Sequence, residues 1–185
     1  QNQIEALKQD VSRLRGQNEQ LARDLAEAQR RQKDLAAGVD DRLRRFEPVK
    51  VTLDGKEFSV EPVEKRDYDA AFAVFRKGDF GPAQTAFSEF LKRYPQSAYV
   101  PSAFFWLANA QYANREFKEA LANFRAFATQ FADHARAAEA LLSAANCQIE
   151  LKDSRGARKT LEDLLKAYPQ SEAASAARER VSKLK

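Results

Sequence analysis

The sequence predicts an all-α protein in two parts: an N-terminal oligomeric coiled coil, then a helical solenoid of three helix pairs plus a capping helix. Three observations predict it. Alanine, the best helix former, occurs 33 times among 185 residues, against 11 valines and isoleucines together. Apolar residues recur on a heptad over the first 47 residues, and from Glu64 onward the chain repeats itself every 37 residues.

The heptad begins with Ile4 at position a. The a series is then Ile4, Val11, Asn18, Leu25, Gln32, Val39 and Phe46, and the d series Leu7, Leu14, Leu21, Ala28, Leu35 and Arg42. No proline interrupts the run before Pro48. A helix this long and this polar has no core of its own, so residues 1–47 must self-associate, with Ile4, Leu7, Val11, Leu14, Asn18, Leu21, Leu25, Leu35 and Val39 as the oligomerisation surface. Asn18 and Gln32 either fix register and strand number or are tolerated defects. Asp10 and Arg15, at g and the next e, are placed to pair between chains. Ile or Val at a with Leu at d leans toward a dimer.

Residues 48–63 change character. Val49 to Leu53 and Lys56 to Val60 flank Asp54-Gly55, a two-residue hairpin signal because both turn positions need positive φ. A lone hairpin is marginal in water. The segment therefore either packs on the following domain or stays a mobile linker, and the linker reading is preferred.

The repeat occupies residues 64–185, as units 64–100, 101–137 and 138–170 with a capping helix over 171–185. Ala83, Ala120 and Ala157 align, as do Phe87, Phe124 and Leu161, then Phe90, Phe127 and Leu164. Small alanines let paired helices approach, and the large residues fill the seam. Tyr94-Pro95-Gln96-Ser97 returns as Tyr168-Pro169-Gln170-Ser171, with Ala132 replacing proline in the middle copy. Ser97 and Ser171 are expected to cap the helices that follow them.

Composition excludes much chemistry. One histidine and one cysteine leave no histidine-rich metal site and no internal disulfide. His134 sits beside Asp133 in a turn without candidate partners, and Cys147 aligns with Ala73 and Ala110, which marks it as a buried inert thiol. The net charge of +4 is spread over the chain, so nucleic acid is not an expected partner. No run of 18 apolar residues is present, so the chain is not expected to span a membrane. No catalytic constellation emerges and no cofactor is implied; an enzymatic role is disfavoured.

The repeats resemble the tetratricopeptide repeat, most closely at Phe104-Phe105-Trp106-Leu107-Ala108-Asn109-Ala110-Gln111-Tyr112 and Phe117-Lys118-Glu119-Ala120-Leu121. That resemblance implies a concave groove lined by the first helix of each pair. Mapping by the repeat places Tyr68, Phe72, Phe75 and Arg76 there, then Phe105, Asn109, Tyr112 and Ala113, then Leu142, Asn146, Ile149 and Glu150. Asn109 and Asn146 are equivalent, and each is expected to bond the backbone of a bound peptide rather than bridge helices. Trp106 is either a partner-facing anchor or a packing residue against the hairpin.

Coiled coil, short linker and repeats follow one another in an order that resembles the YbgF/CpoB family. Arg66-Asp67-Tyr68, Gly78-Asp79-Phe80, Tyr94-Pro95-Gln96-Ser97, the Trp106-to-Tyr112 run and Pro169-Gln170-Ser171 carry the likeness. The resemblance implies a periplasmic adaptor of the Tol-Pal system, with a signal peptide before Gln1. Its partners would be TolA and a bifunctional peptidoglycan synthase (a penicillin-binding protein), and its coiled coil a homotrimer. It would coordinate peptidoglycan synthesis with outer-membrane constriction during cell division. The alternative is a periplasmic chaperone or outer-membrane assembly factor that holds client peptides in the groove.

Overall fold

The computed structural model describes residues 2–44 and 46–184. The chain divides into two units after Glu47.

The first unit is one helix, α1 (Asn2–Arg44). Its a and d side chains lie open: Ile4 is 61% exposed, Leu7 63%, Leu21 64% and Leu35 69%. Exposure of this size on a regular apolar stripe is what a self-associating helix shows before its partners are added. Its polar face is tied along the helix by Arg13 with Asp10 at 3.0 Å, Arg44 with Asp40 at 3.0 Å, and Arg31 with Glu27. Asp10, expected to pair between chains, thus has a partner within its own helix. Phe46, expected at an a position, lies beyond the helix in a turn, where its N–H bonds the Leu43 carbonyl.

The second unit opens with a hairpin, β1 (Val49–Leu53) and β2 (Lys56–Val60), antiparallel with Val49 opposite Val60 and Leu53 opposite Lys56. Asp54 and Gly55 have φ of 49° and 78°, the two positive values that the turn requires. The preferred linker reading is corrected here. Val60 is buried, and Val49, Val51 and Leu53 pack against the cluster that holds Phe87, Phe90 and Tyr99. The hairpin's period-2 apolar face completes the first repeat's core, which supplies the burial that an isolated hairpin lacks.

Seven helices follow: α2 (Pro62–Arg76), α3 (Phe80–Arg93), α4 (Val100–Ala113), α5 (Phe117–Gln130), α6 (Ala137–Glu150), α7 (Ser154–Ala167) and α8 (Glu172–Lys183). They form three antiparallel pairs and a cap. Ala83, Ala120 and Ala157 are fully buried, as are Phe87, Phe124 and Leu161. The turn inside each pair repeats its backbone: Gly78, Arg115 and Lys152 occupy equivalent positions with φ of 86°, 64° and 64°. Only the first copy uses the residue that adopts this conformation without steric cost.

The second helix of each pair also ends alike. Tyr94, Phe131 and Tyr168 have φ, ψ near −125°, 60°; −123°, 47°; and −131°, 56°. Ala132 in place of proline therefore leaves the middle turn unchanged, because the local geometry is set by the residue before it. Ser171 caps α8 as expected, accepting from the Ala174 N–H at 3.1 Å. Ser97 does not cap α4, whose N-cap is Tyr99. Its hydroxyl instead accepts the Tyr99 N–H and donates to Glu64 at 2.6 Å, so it ties the turn to α2.

Buried polar groups lock the pair turns. Gln111 and Gln148, one repeat apart, accept from Asn123 and Thr160, each at 2.6 Å. Gln148 is fully buried, and its amide also donates to Asp153, which caps α7 through the Gly156 N–H. A side chain at Gly156 would meet Asp153 and Gln148 within 2.0–2.7 Å, so this approach requires glycine.

Candidate partner-binding groove

Of the expected groove residues, Tyr68, Phe72 and Phe75 form an aromatic row on α2, which Trp106 of α4 joins. Tyr68, Phe72 and Phe75 recur at helical spacing on α2 and lie with their rings nearly parallel, at centroid separations of 6.3 and 6.5 Å. Tyr68 also stacks on Tyr99 at 4.3 Å. Burial pushes its acidity constant up, so it remains a neutral hydroxyl. Arg76 is exposed and has no acidic partner among the described residues.

Trp106 on α4 leans on Phe72 and on Phe75, each at 5.0 Å, and on Phe105 at 5.5 Å. Its ring is half-buried, and its aromatic neighbours lie on the first helices. Phe105 itself is corrected. At 1% exposure it is a core residue, packed on Phe124 and Phe127, and is not available to a partner. The repeat alignment assigns it the same position as Tyr68, but in the middle unit that position has α5 and α6 residues around it.

The two asparagines are used differently. Asn109 is half-buried and donates its amide to the Phe105 carbonyl at 2.8 Å, one turn back on its own helix. Asn146 is half-buried and makes no side-chain hydrogen bond among the described residues. Tyr112 packs edge-on against Phe117 at 5.4 Å, and burial and then Glu150 push its hydroxyl up. Leu142 and Ile149 are half-buried on α6, with Leu142 against the third core cluster; Ala113 and Glu150 are exposed.

Sequence reasoning missed two residues. His134, expected to have no partner, has three. Its Nε2 lies 2.8 Å from Asp54 at the hairpin tip, its Nδ1 accepts the Arg136 N–H at 3.1 Å, and its ring meets Phe127 edge-on. With Nδ1 accepting, the ring proton sits on Nε2 and is donated to Asp54. The second is Arg136, whose guanidinium lies over Trp106 at 5.0 Å and over Phe105 at 5.2 Å. A basic residue that opens a helix opposes the helix dipole, and that mismatch was its sequence signal.

Cys147 is fully buried, and burial pushes its thiol up to about 12, out of the range of a nucleophile. Among the described residues no group of three or more His, Cys, Asp or Glu side chains could hold a metal ion. No described helix is long and apolar enough to cross a membrane.

Paired helices with a repeated core, following in sequence a helix whose apolar stripe lies open, define a tetratricopeptide-type repeat fold. Residues 61–185 match the family model of the YfiO outer membrane lipoproteins, and residues 1–52 match that of TolA binding protein trimerisation. With that pairing of segments, the chain belongs to the YbgF/CpoB family. Cell division coordinator CpoB of Pseudomonas putida is 44% identical over 50 residues, a stretch that spans 27% of this chain and 19% of the relative. Solved structures of similar fold include PcrH from Pseudomonas aeruginosa, with TM-score 0.53, 19% identity, and coverage of 66% of this chain and 88% of that one. A type III secretion complex from Aeromonas hydrophila gives TM-score 0.56 at 17% identity, over 66% and 80% of the two chains. The Arabidopsis OM64 repeat domain gives 0.53 at 16%, over 65% and 94%.

Proposed function

We propose that this protein is a non-enzymatic periplasmic adaptor of the Tol-Pal system. Helix α1 sets the copy number as a homotrimer, and the repeat domain presents one groove per copy to TolA and to a bifunctional peptidoglycan synthase. Its role is to coordinate peptidoglycan synthesis with outer-membrane constriction during cell division. Residues 1–47 form the oligomerisation part and residues 64–185 the binding part, closed by its cap from 171 onward.

The observation that carries this reading is the joining of a TolA-binding-protein trimerisation segment to a repeat domain with a half-buried aromatic face. Three linked copies of a modest site raise overall binding without new contacts. Phe72, Phe75 and Trp106 supply apolar area, and Asn146 supplies an amide free for a bound backbone.

Calorimetric titration of the full chain with the periplasmic part of TolA tests the proposal, beside sedimentation to count copies. Saturable binding, weakened at least tenfold (about 1.4 kcal/mol) by Asn109→Ala with Asn146→Ala, supports both adaptor and groove. Binding untouched by the double variant keeps the adaptor and moves its site. Absence of TolA binding, with loose capture of unrelated peptides, would replace the adaptor by the chaperone reading.

A further inference from the structure

The groove carries a cation with no counter-ion. Arg136 is half-buried at the start of α6, with its guanidinium over two aromatic faces, and among the described residues no carboxylate lies within ion-pair distance of it. Other charges of this face are engaged or displaced. Lys65 and Asp69 neutralise one another at 2.5 Å, while Glu139 and Glu150 are exposed and make no ion pair with Arg136. A partly desolvated guanidinium is seldom left without an acceptor, and stacking satisfies its faces but not its in-plane N–H donors.

The surroundings add apolar area. Tyr68 lies near enough for Arg136 to act on its hydroxyl, and Phe72 and Phe75 extend the aromatic surface from Trp106. We infer that this site binds a carboxylate side chain of a partner protein, Asp or Glu, in a segment whose neighbouring residue is aromatic or aliphatic. The guanidinium fork takes the carboxylate in a charge-assisted pair, and the adjacent apolar side chain rests on Phe72 and Trp106. A single guanidinium fork fits one carboxylate rather than a run of phosphates.

This inference rests on the groove reading above and narrows its ligand. The probes are fluorescein-labelled dodecapeptides of Ser and Gly with a central Glu-Phe-Glu, Gln-Phe-Gln or Lys-Phe-Lys, titrated with the full chain at low and high salt. The expected result is at least tenfold tighter binding of the Glu-Phe-Glu peptide than of the Gln-Phe-Gln one, a preference shrinking as salt rises. Arg136→Gln removes the preference and Arg136→Lys retains part of it. Equal binding of all three peptides, binding of none, or a preference that survives Arg136→Gln would overturn the inference. If Arg136→Gln loses its helical circular dichroism, Arg136→Lys and the salt series on the unaltered protein decide. TolA titrated in parallel separates the two readings: TolA failing while the acidic peptide binds at Arg136 faults the adaptor alone.

Discussion

Leu21 in α1 is 64% exposed and Leu161 in α7 is fully buried, although both occupy the apolar stripe of an amphipathic helix. The two parts of the chain thus reach the same secondary structure by opposite routes. In the repeat domain each helix finds its covering surface a few residues along the same chain, and alanine at the contact lets the pair close. In α1 the stripe lies open, and under the proposed self-association another copy covers it. An isolated helix of this polarity gains little from propensity alone, so on that proposal its order depends on concentration. The repeat domain's order is not.

The largest test of that contrast is dilution. A peptide of residues 1–47 should lose most of its helical signal as concentration falls, and Leu21→Asp should abolish both helix and association. Residues 48–185 should melt at one temperature across the same range. Circular dichroism with sedimentation velocity reads both, and a concentration-independent α1 would break the comparison.

Next in size is the repeat core. Phe124→Ala empties a fully buried position between α4 and α5 and should cost about 3–5 kcal/mol by chemical denaturation. The same protein should self-associate through α1 undiminished, since Phe124 belongs to the core of the repeat unit.

The hairpin sharpens the boundary between the parts. His134→Ala removes the Asp54 contact, a backbone cap and an aromatic edge together, and should cost about 1–2 kcal/mol. Amide exchange in β1 and β2 should accelerate before it does in α4 or α5. Hairpin amides that exchange at unchanged rates would show that Val60 and its neighbours hold the hairpin without the clasp.

The smallest expected effect has the opposite sign. Arg115→Gly relieves a positive φ at a site with two equivalents and should raise stability by less than about 1 kcal/mol, the gain reduced by glycine's greater freedom when unfolded. Gly78→Ala should lose about 1–2 kcal/mol, because the open space around Gly78 leaves backbone strain as the only cost. The two variants together measure what one turn costs in each of two copies.

Much of this architecture was legible because it is periodic. The heptad in α1, the period of 37, the Asp54-Gly55 turn and the buried alanines all follow from spacing, which maps onto helix or strand faces without knowledge of neighbours. Legibility failed where a residue's role depended on what crossed it from elsewhere. Phe105 and Tyr68 are equivalent by repeat, yet the middle unit is covered on more sides and Phe105 is buried there. The repeat spacing makes Asn109 a ligand-binding amide, and in the fold it bonds its own helix. His134 looked partnerless because Asp54 lies 80 residues away along the chain.

What the sequence determined by itself is therefore the local geometry and its repetition: which residues are helical, which stripe of each helix is apolar, and where each pair turns. Heptad and repeat spacing express backbone periodicity, and that needs no third dimension to be read. Only the tertiary structure decided that the hairpin belongs to the repeat core, that Phe105 is buried, and that Arg136 lies over Trp106. Those outcomes depend on which side chains meet across elements, where distance along the chain carries no information and burial and charge pairing settle each role.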